Sequence, residues 1–285
     1  MKRLTWFAVV LLSAGCASGG SSSGGTPAGP KPTLDPVAAP PVVRNLKLQP
    51  DAVAHYALAR VDSLTVVMAG AEQGQVLDRT IYLTITSAPA ASGKAITVLI
   101  DSLQTREAGL VSPFALDSLR GIRWSGTLGA NGRMSPLVPS QSTLLGAPLS
   151  GQFRLLFPLL PTEGAKAGAT WTDSTSDTIQ VSAFGGRDQA RLHYSASDAE
   201  RAIGQPVLPI VLSRMSTVTG STEQNGQTIT LSGTDSTTIT YRISASGRLM
   251  AADGSSSADM SITIPDVGQT LPARSRATFS LTRLP

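Results

Sequence analysis

The sequence predicts a mainly β fold: an antiparallel sheet with one or two short covering helices. Three observations carry this. Apolar and polar residues alternate with period two over many short runs, and β-branched residues are frequent within those runs. Gly and Asn turn signals separate them. Between successive runs there is no helical periodicity of the kind a parallel α/β sheet would need for its crossovers.

The clearest strand lies at 80–86, where Thr80, Tyr82, Thr84 and Thr86 alternate with Ile81, Leu83 and Ile85. This spacing predicts one polar face and one buried face. Ile96, Val98 and Ile100 mark the next strand, and further strands are expected at 122–128, 178–181, 190–195, 207–218, 228–231, 237–243, 260–264 and 277–281. Two octets, 127–134 and 242–249, share a strand, turn, strand pattern in which Asn131-Gly132 and Ser246-Gly247 suit tight two-residue hairpins. Turn chemistry alone or an internal duplication into two similar β halves would both produce that likeness.

Two segments read as helical. Ser112 can cap a short helix with Pro113 at its first position and Gly121 just past its end, enclosing Phe114, Leu116 and Leu119. The longer one runs over 143–157, where Leu145, Leu149, Phe153, Leu156 and then Leu160 recur at steps of three or four before Pro158 and Pro161 end the pattern. Its apolar stripe can cover a sheet. Leu155, Phe157 and Leu159 widen the stripe beyond one contact face, so Leu145, Leu149, Phe153, Leu156 and Leu160 are also candidate residues of a lid over an apolar ligand.

The start of the chain carries an address. Lys2 and Arg3 precede a short apolar run from Leu4 to Leu12, and Ser13, Ala14 and Gly15 lead into Cys16, the single cysteine. The apolar run is far below the roughly 20 residues a membrane-spanning helix needs. This pattern resembles a bacterial lipoprotein signal with its lipobox, with Ser13 standing where the family prefers an aliphatic residue. The resemblance implies a signal peptide over 1–15, acylation at Cys16 and attachment to the membrane through the lipid. Ala17 stands where an Asp would imply retention at the inner membrane in that family, so the outer membrane, facing the periplasm, is the expected location. An ordinary signal peptide cut after Ala14 or Ala17 is the alternative.

Residues 16–45 then hold the acylated cysteine and a Gly, Ser, Pro and Ala tether too poor in apolar residues to fold, and 46–285 is expected as a single β-rich domain. Gly20, Ser22 and Gly24 spell G-x-S-x-G inside the tether, where no strand and helix can flank a nucleophile. The layout as a whole resembles the lipoprotein carriers of the Lol system. That likeness implies that the antiparallel sheet is a strongly curved one or an incomplete barrel, closed by the short helices around an apolar cavity for acyl chains, with no residue of the carriers' binding arginines matched here.

Composition narrows the function. The formal charge of +4 falls to +2 once Lys2 and Arg3 are removed with the signal, and only Trp124 and Trp171 remain as tryptophans, so nucleic acid is not an expected partner. No cofactor and no metal are expected. His55 and His193 are the only histidines and neither belongs to a ligand motif. A serine triad would have to use His193 with Asp188 or Asp198, without an elbow motif for the serine. The reading is therefore a membrane-anchored envelope lipoprotein, non-enzymatic, that binds an apolar ligand or an envelope partner. A structural surface lipoprotein and a hydrolase with an unrecognised site are the alternatives.

Overall fold

A computed structural model describes Val43 and residues 45–68, 70–107, 116–143, 146–181, 184–202, 204–224 and 226–285. Among these, twelve antiparallel strands form one sheet that does not close on itself. They are β1 Val53–Met68, β2 Ala71–Ala90, β3 Gly93–Glu107, β4 Arg123–Leu128, β5 Val138–Pro139, β6 Thr170–Val181, β7 Phe184–Ala196, β8 Glu200–Ala202, β9 Gln205–Gln224, β10 Gln227–Ser244, β11 Leu249–Ile264 and β12 Gln269–Arg283. Cys16, the tether apart from Val43 and Asn45, Ser112, Pro113, Phe114 and Leu145 lie outside the described residues; Val43, expected in the tether, is buried in the main core.

Strand order explains the curl. It runs β5-β4-β3-β2-β1-β12-β11-β10-β9-β7-β6, with β8 pairing β9, so the first and last long strands meet in the middle of the sheet. The chain then passes from one outer edge, β5, to the other, β6, through the helix α1 (Gly146–Phe153) and the turns that follow it. Helix α1 lies against both edge strands, which draws the two edges toward each other around the apolar face. We call the end of the strands holding α1 the lower end. The 68–71, 224–227 and 264–269 connections lie at the upper end.

The predicted alternation holds in β2, where Ile81, Leu83 and Ile85 are buried, as are Ile96, Val98 and Ile100 of β3. The runs at 228–231 and 237–243 are one strand, β10, because Ser232 to Ser236 continue the ladder with β9 and β11. Strand β1 was not predicted. Its inner positions read Ala54, Tyr56, Leu58, Arg60, Asp62 and Leu64, and the two charges interrupt the apolar period that would announce it.

Helix α1 is shorter than the predicted 143–157. The Leu155 and Leu156 amides donate to the carbonyls of Gln152 and Phe153, three residues back, so the helix tightens and stops as the chain approaches Pro158. Leu149, Phe153, Leu156 and Leu160 are all buried in the main core, together with Phe157, while Leu155 and Leu159 pack against its margin. The Phe153 ring meets Trp124 of β4 edge-on at 5.1 Å. Tyr241 of β10 donates to the Leu155 carbonyl at 2.8 Å, and Trp171 of β6 donates to that of Leu159 at 3.0 Å. The lower end is thus sealed by apolar packing and by side-chain bonds to an otherwise irregular backbone.

Both octets form hairpins with the same bonds. The Gly129 and Gly132 amides donate to Arg133 and Gly129 carbonyls, and the Ser244 and Gly247 amides donate to those of Arg248 and Ser244. These are three-residue loops, not the expected two-residue turns. Gly132 and Gly247 are at φ 85° and 84°, whereas Asn131 and Ser246 are not at positive φ, and a tight type I′ turn needs both central residues there.

Gly247 also sits under the segment that leads into β1. A Cβ there would stand 2.1 Å from the Lys47 carbonyl oxygen, and the Gln49 amide is bonded to the Gly247 carbonyl at 2.8 Å, so the backbone cannot easily retreat. Gly247→Ala should therefore cost about 1–3 kcal/mol in urea unfolding. Gly268→Ala is the control, since Gly268 has φ 62° but open space around it. Equal losses in the two variants would mean that residues 45–49 are not docked on the turn.

Candidate ligand-binding face

Because strand side chains alternate, the inner face can be followed upward along each strand from the sealed core. On β1 it reads Leu58, Arg60, Asp62, Leu64 and Val66; on β12, antiparallel to it, Leu281, Phe279, Ala277, Ser275 and Ala273 lie opposite these five. The same sequence of apolar, polar and apolar levels recurs on β10 as Ile239, Thr237, Asp235, Gly233 and Leu231. The inner face is therefore zoned: a packed lower core, a belt of polar and charged groups, and a second apolar cluster above.

The belt has two charged groups. On β1 and β2, Asp62 accepts from Arg60 Nε at 2.8 and 3.1 Å and pairs with the terminal nitrogens of Arg60 at 2.8 Å and Arg79 at 3.0 Å. All three residues are buried. Arg60 and Arg79 stand directly opposite each other across the strand pair, and Asp62 lies one inner position above Arg60. Burial pushes the Arg79 guanidinium down to about 10, with Asp62 opposing and Arg60 adding to that shift, so it stays charged at neutral pH. Its Nε is buried without a hydrogen-bond partner among the described residues. Arg60 also lies over the Phe279 ring, 5.9 Å from its centre.

The second group is on β7, β9 and β10. Arg214 bridges Asp188 and Asp235, at 2.7 Å from the latter, and Thr237 donates to Asp235 at 3.2 Å. Burial raises the Asp235 pKa, against the lowering effects of Arg214 and Thr237 and with a smaller push from the Asp188 charge. One Oδ of Asp188 is buried and has no partner among the described residues. The first group holds two cations and one anion, the second two anions and one cation.

Above the belt, Leu231, Ala258, Met260 and Ala273 form the second cluster, with Leu64, Val66, Phe184, Val218 and Ile262 partly buried against it. Glycines shape this surface. The Phe184 ring occupies the space a Cβ of Gly220 would take, at 2.4 Å, and Met260 does the same over Gly233 at 2.8 Å. Both side chains therefore lie flat on the sheet, and the result is a shallow apolar floor beyond the reach of α1.

The candidate lid residues are elsewhere. Leu149, Phe153, Leu156 and Leu160 belong to the lower core, not to this floor. Sequence reasoning missed the upper site because Gly, Ala and single Leu or Met residues scattered over six strands have no local signature. His193 and Asp188 do not pair: His193 is exposed on the outer face of β7, whereas Asp188 is on the inner face, bound to Arg214. His55 is also exposed; its Nδ1 is 2.9 Å from Thr84 Oγ1, which donates to Asp101 at 2.7 Å, so the hydroxyl proton is directed at the carboxylate and not at the imidazole.

Among the described residues no three His, Cys, Asp or Glu side chains converge to hold a metal ion, and no helix is long and apolar enough to cross a membrane. No protein-family model and no curated protein matches the sequence.

Proposed function

We propose that the protein is a lipid-anchored envelope protein that binds an apolar ligand on the upper inner face of its open sheet. The observation that carries this is the second apolar cluster. Leu64, Val66, Phe184, Val218 and Ile262 remain only partly buried although they face inward, on the same side as the buried residues of the main core. A curved sheet shelters such a surface, and an acyl chain would complete its burial at about 25 cal/mol per Å² of apolar area removed from water. The envelope location rests on the lipoprotein-like residues 1–16.

The full protein extracted from membranes tests both parts. Its denatured mass should include an acyl addition at Cys16 that Cys16→Ser removes, and its native mass should include a retained lipid that Val66→Asp diminishes several-fold. A wild-type protein without acyl mass would refute the anchor. One without retained lipid, and without binding of the neutral dye Nile red, would refute the apolar-ligand reading. The burial of Leu149, Phe153, Leu156 and Leu160 in the main core favours a second reading in that event, a structural envelope lipoprotein.

A further inference from the structure

We propose that the Arg60, Asp62 and Arg79 group is a headgroup site, and that the ligand is a single-chain amphiphile with a carboxylate head whose chain lies along the upper apolar floor. This rests on the apolar-ligand reading above and specifies its ligand class. Three observations point to an anion. Two guanidiniums share one carboxylate inside the sheet, which leaves a positive excess where charge is poorly solvated. Arg79 Nε, a buried donor, has no acceptor among the described residues. Neighbouring inner positions on β12 and β11 offer no anion to the pair, being Phe279, Ala277, Gly254 and Ser256.

The opposite group does not have the same need. Its excess is negative, and a carboxylate whose ionisation burial already disfavours can take up a proton, as Asp235 does more readily than an exposed aspartate. An arginine has no such recourse at neutral pH. The positive end of the belt is therefore the one that a ligand must balance.

Geometry sets the rest of the ligand. From Arg60 the inner face of β1 continues through Leu64 and Val66, and six residues of strand cover about 20 Å, the span of a long extended acyl chain. Asp62 limits the excess to one charge, which matches a carboxylate better than a doubly ionised phosphate. The Phe279 ring beneath Arg60 fixes the guanidinium from its other side.

Native mass titration of the full chain carrying Cys16→Ser, recovered from the soluble fraction, should be carried out with oleate, oleyl alcohol and inorganic phosphate. Oleate should bind at least tenfold more tightly than oleyl alcohol, and phosphate alone should not bind measurably. In Arg79→Met the preference for oleate should disappear while oleyl alcohol still binds; the remaining Arg60 and Asp62 form a balanced pair, so the fold should survive. Arg79→Lys, which keeps the charge without the second donor, should retain part of the preference. Equal affinity of the wild type for oleate and oleyl alcohol overturns the headgroup site but leaves the apolar surface intact. Binding of neither overturns both readings. Phosphate binding as tight as oleate overturns the amphiphile.

Discussion

Replacing Asp62 with alanine should destabilise the fold by about 3–5 kcal/mol, the usual cost of removing one partner from a buried ionic group. The effect is large because Asp62 is the common acceptor of two arginines that the register places directly opposite each other on the inner face. Without it, like charges would confront each other across the strand pair in a site from which water is largely excluded. Removing a cation should do far less: Arg79→Met leaves a one-to-one pair and deletes an unpartnered donor, so its loss should stay within about 1.5 kcal/mol. Urea unfolding of the two variants at neutral pH checks the asymmetry. A loss under about 1 kcal/mol for Asp62→Ala would mean that the arginines are solvated in the folded protein, which would also remove the basis of the headgroup site.

The same residues explain which parts of the architecture could be read in advance. Where consecutive inner positions are apolar, as with Ile81, Leu83 and Ile85 of β2 or Ile96, Val98 and Ile100 of β3, the alternation identifies the strand and its buried side. Where a strand leaves the lower core and crosses the belt, its inner positions become Arg60, Asp62, Arg214 or Asp235, and the period disappears although the ladder continues. Strand β1 was missed for this reason, and β10 was split in two. The curvature was expected only from the resemblance in layout to the Lol carriers, since alternation within a strand carries no information on how the sheet bends. The order of the strands was not, because pairing of β1 with β12 depends on contacts more than 200 residues apart in sequence.

The candidate site was less legible than the fold. Leucine and phenylalanine are dense at 149–160, and that density marks the place where a crossing segment must bury itself on both sides between two sheet edges. The more open apolar surface is built from few large residues. Its floor is made by Gly220 and Gly233, which sequence patterns register as interruptions of a strand but which in the sheet allow Phe184 and Met260 to lie flat. A shallow binding surface on a curled sheet requires small residues facing inward, and small residues give little hydrophobic signal.

Phe153→Ala should cost a further test of this division, because it separates a core role from a lid role for the crossing segment. The ring is fully buried at the end of α1 and packs edge-on against Trp124, whose indole donates to the Gly146 carbonyl at the helix start at 3.1 Å. Truncation would remove the ring and leave a cavity between the helix and Trp124 of β4, a loss of about 3–5 kcal/mol. The aromatic pair contributes about 0.5–1.5 kcal/mol of that beyond its buried area. Because Trp124 would lose one wall of its site, its fluorescence should shift to the red in the folded variant. Affinity for an apolar ligand, measured well below the melting temperature, should stay within about twofold, since the upper floor is built from other strands and lies across the belt from Phe153. A variant that instead keeps its stability within about 1 kcal/mol and loses ligand affinity would show that α1 behaves as a lid. In that event the ligand would lie in the lower half of the sheet, among Leu149, Leu156 and Leu160.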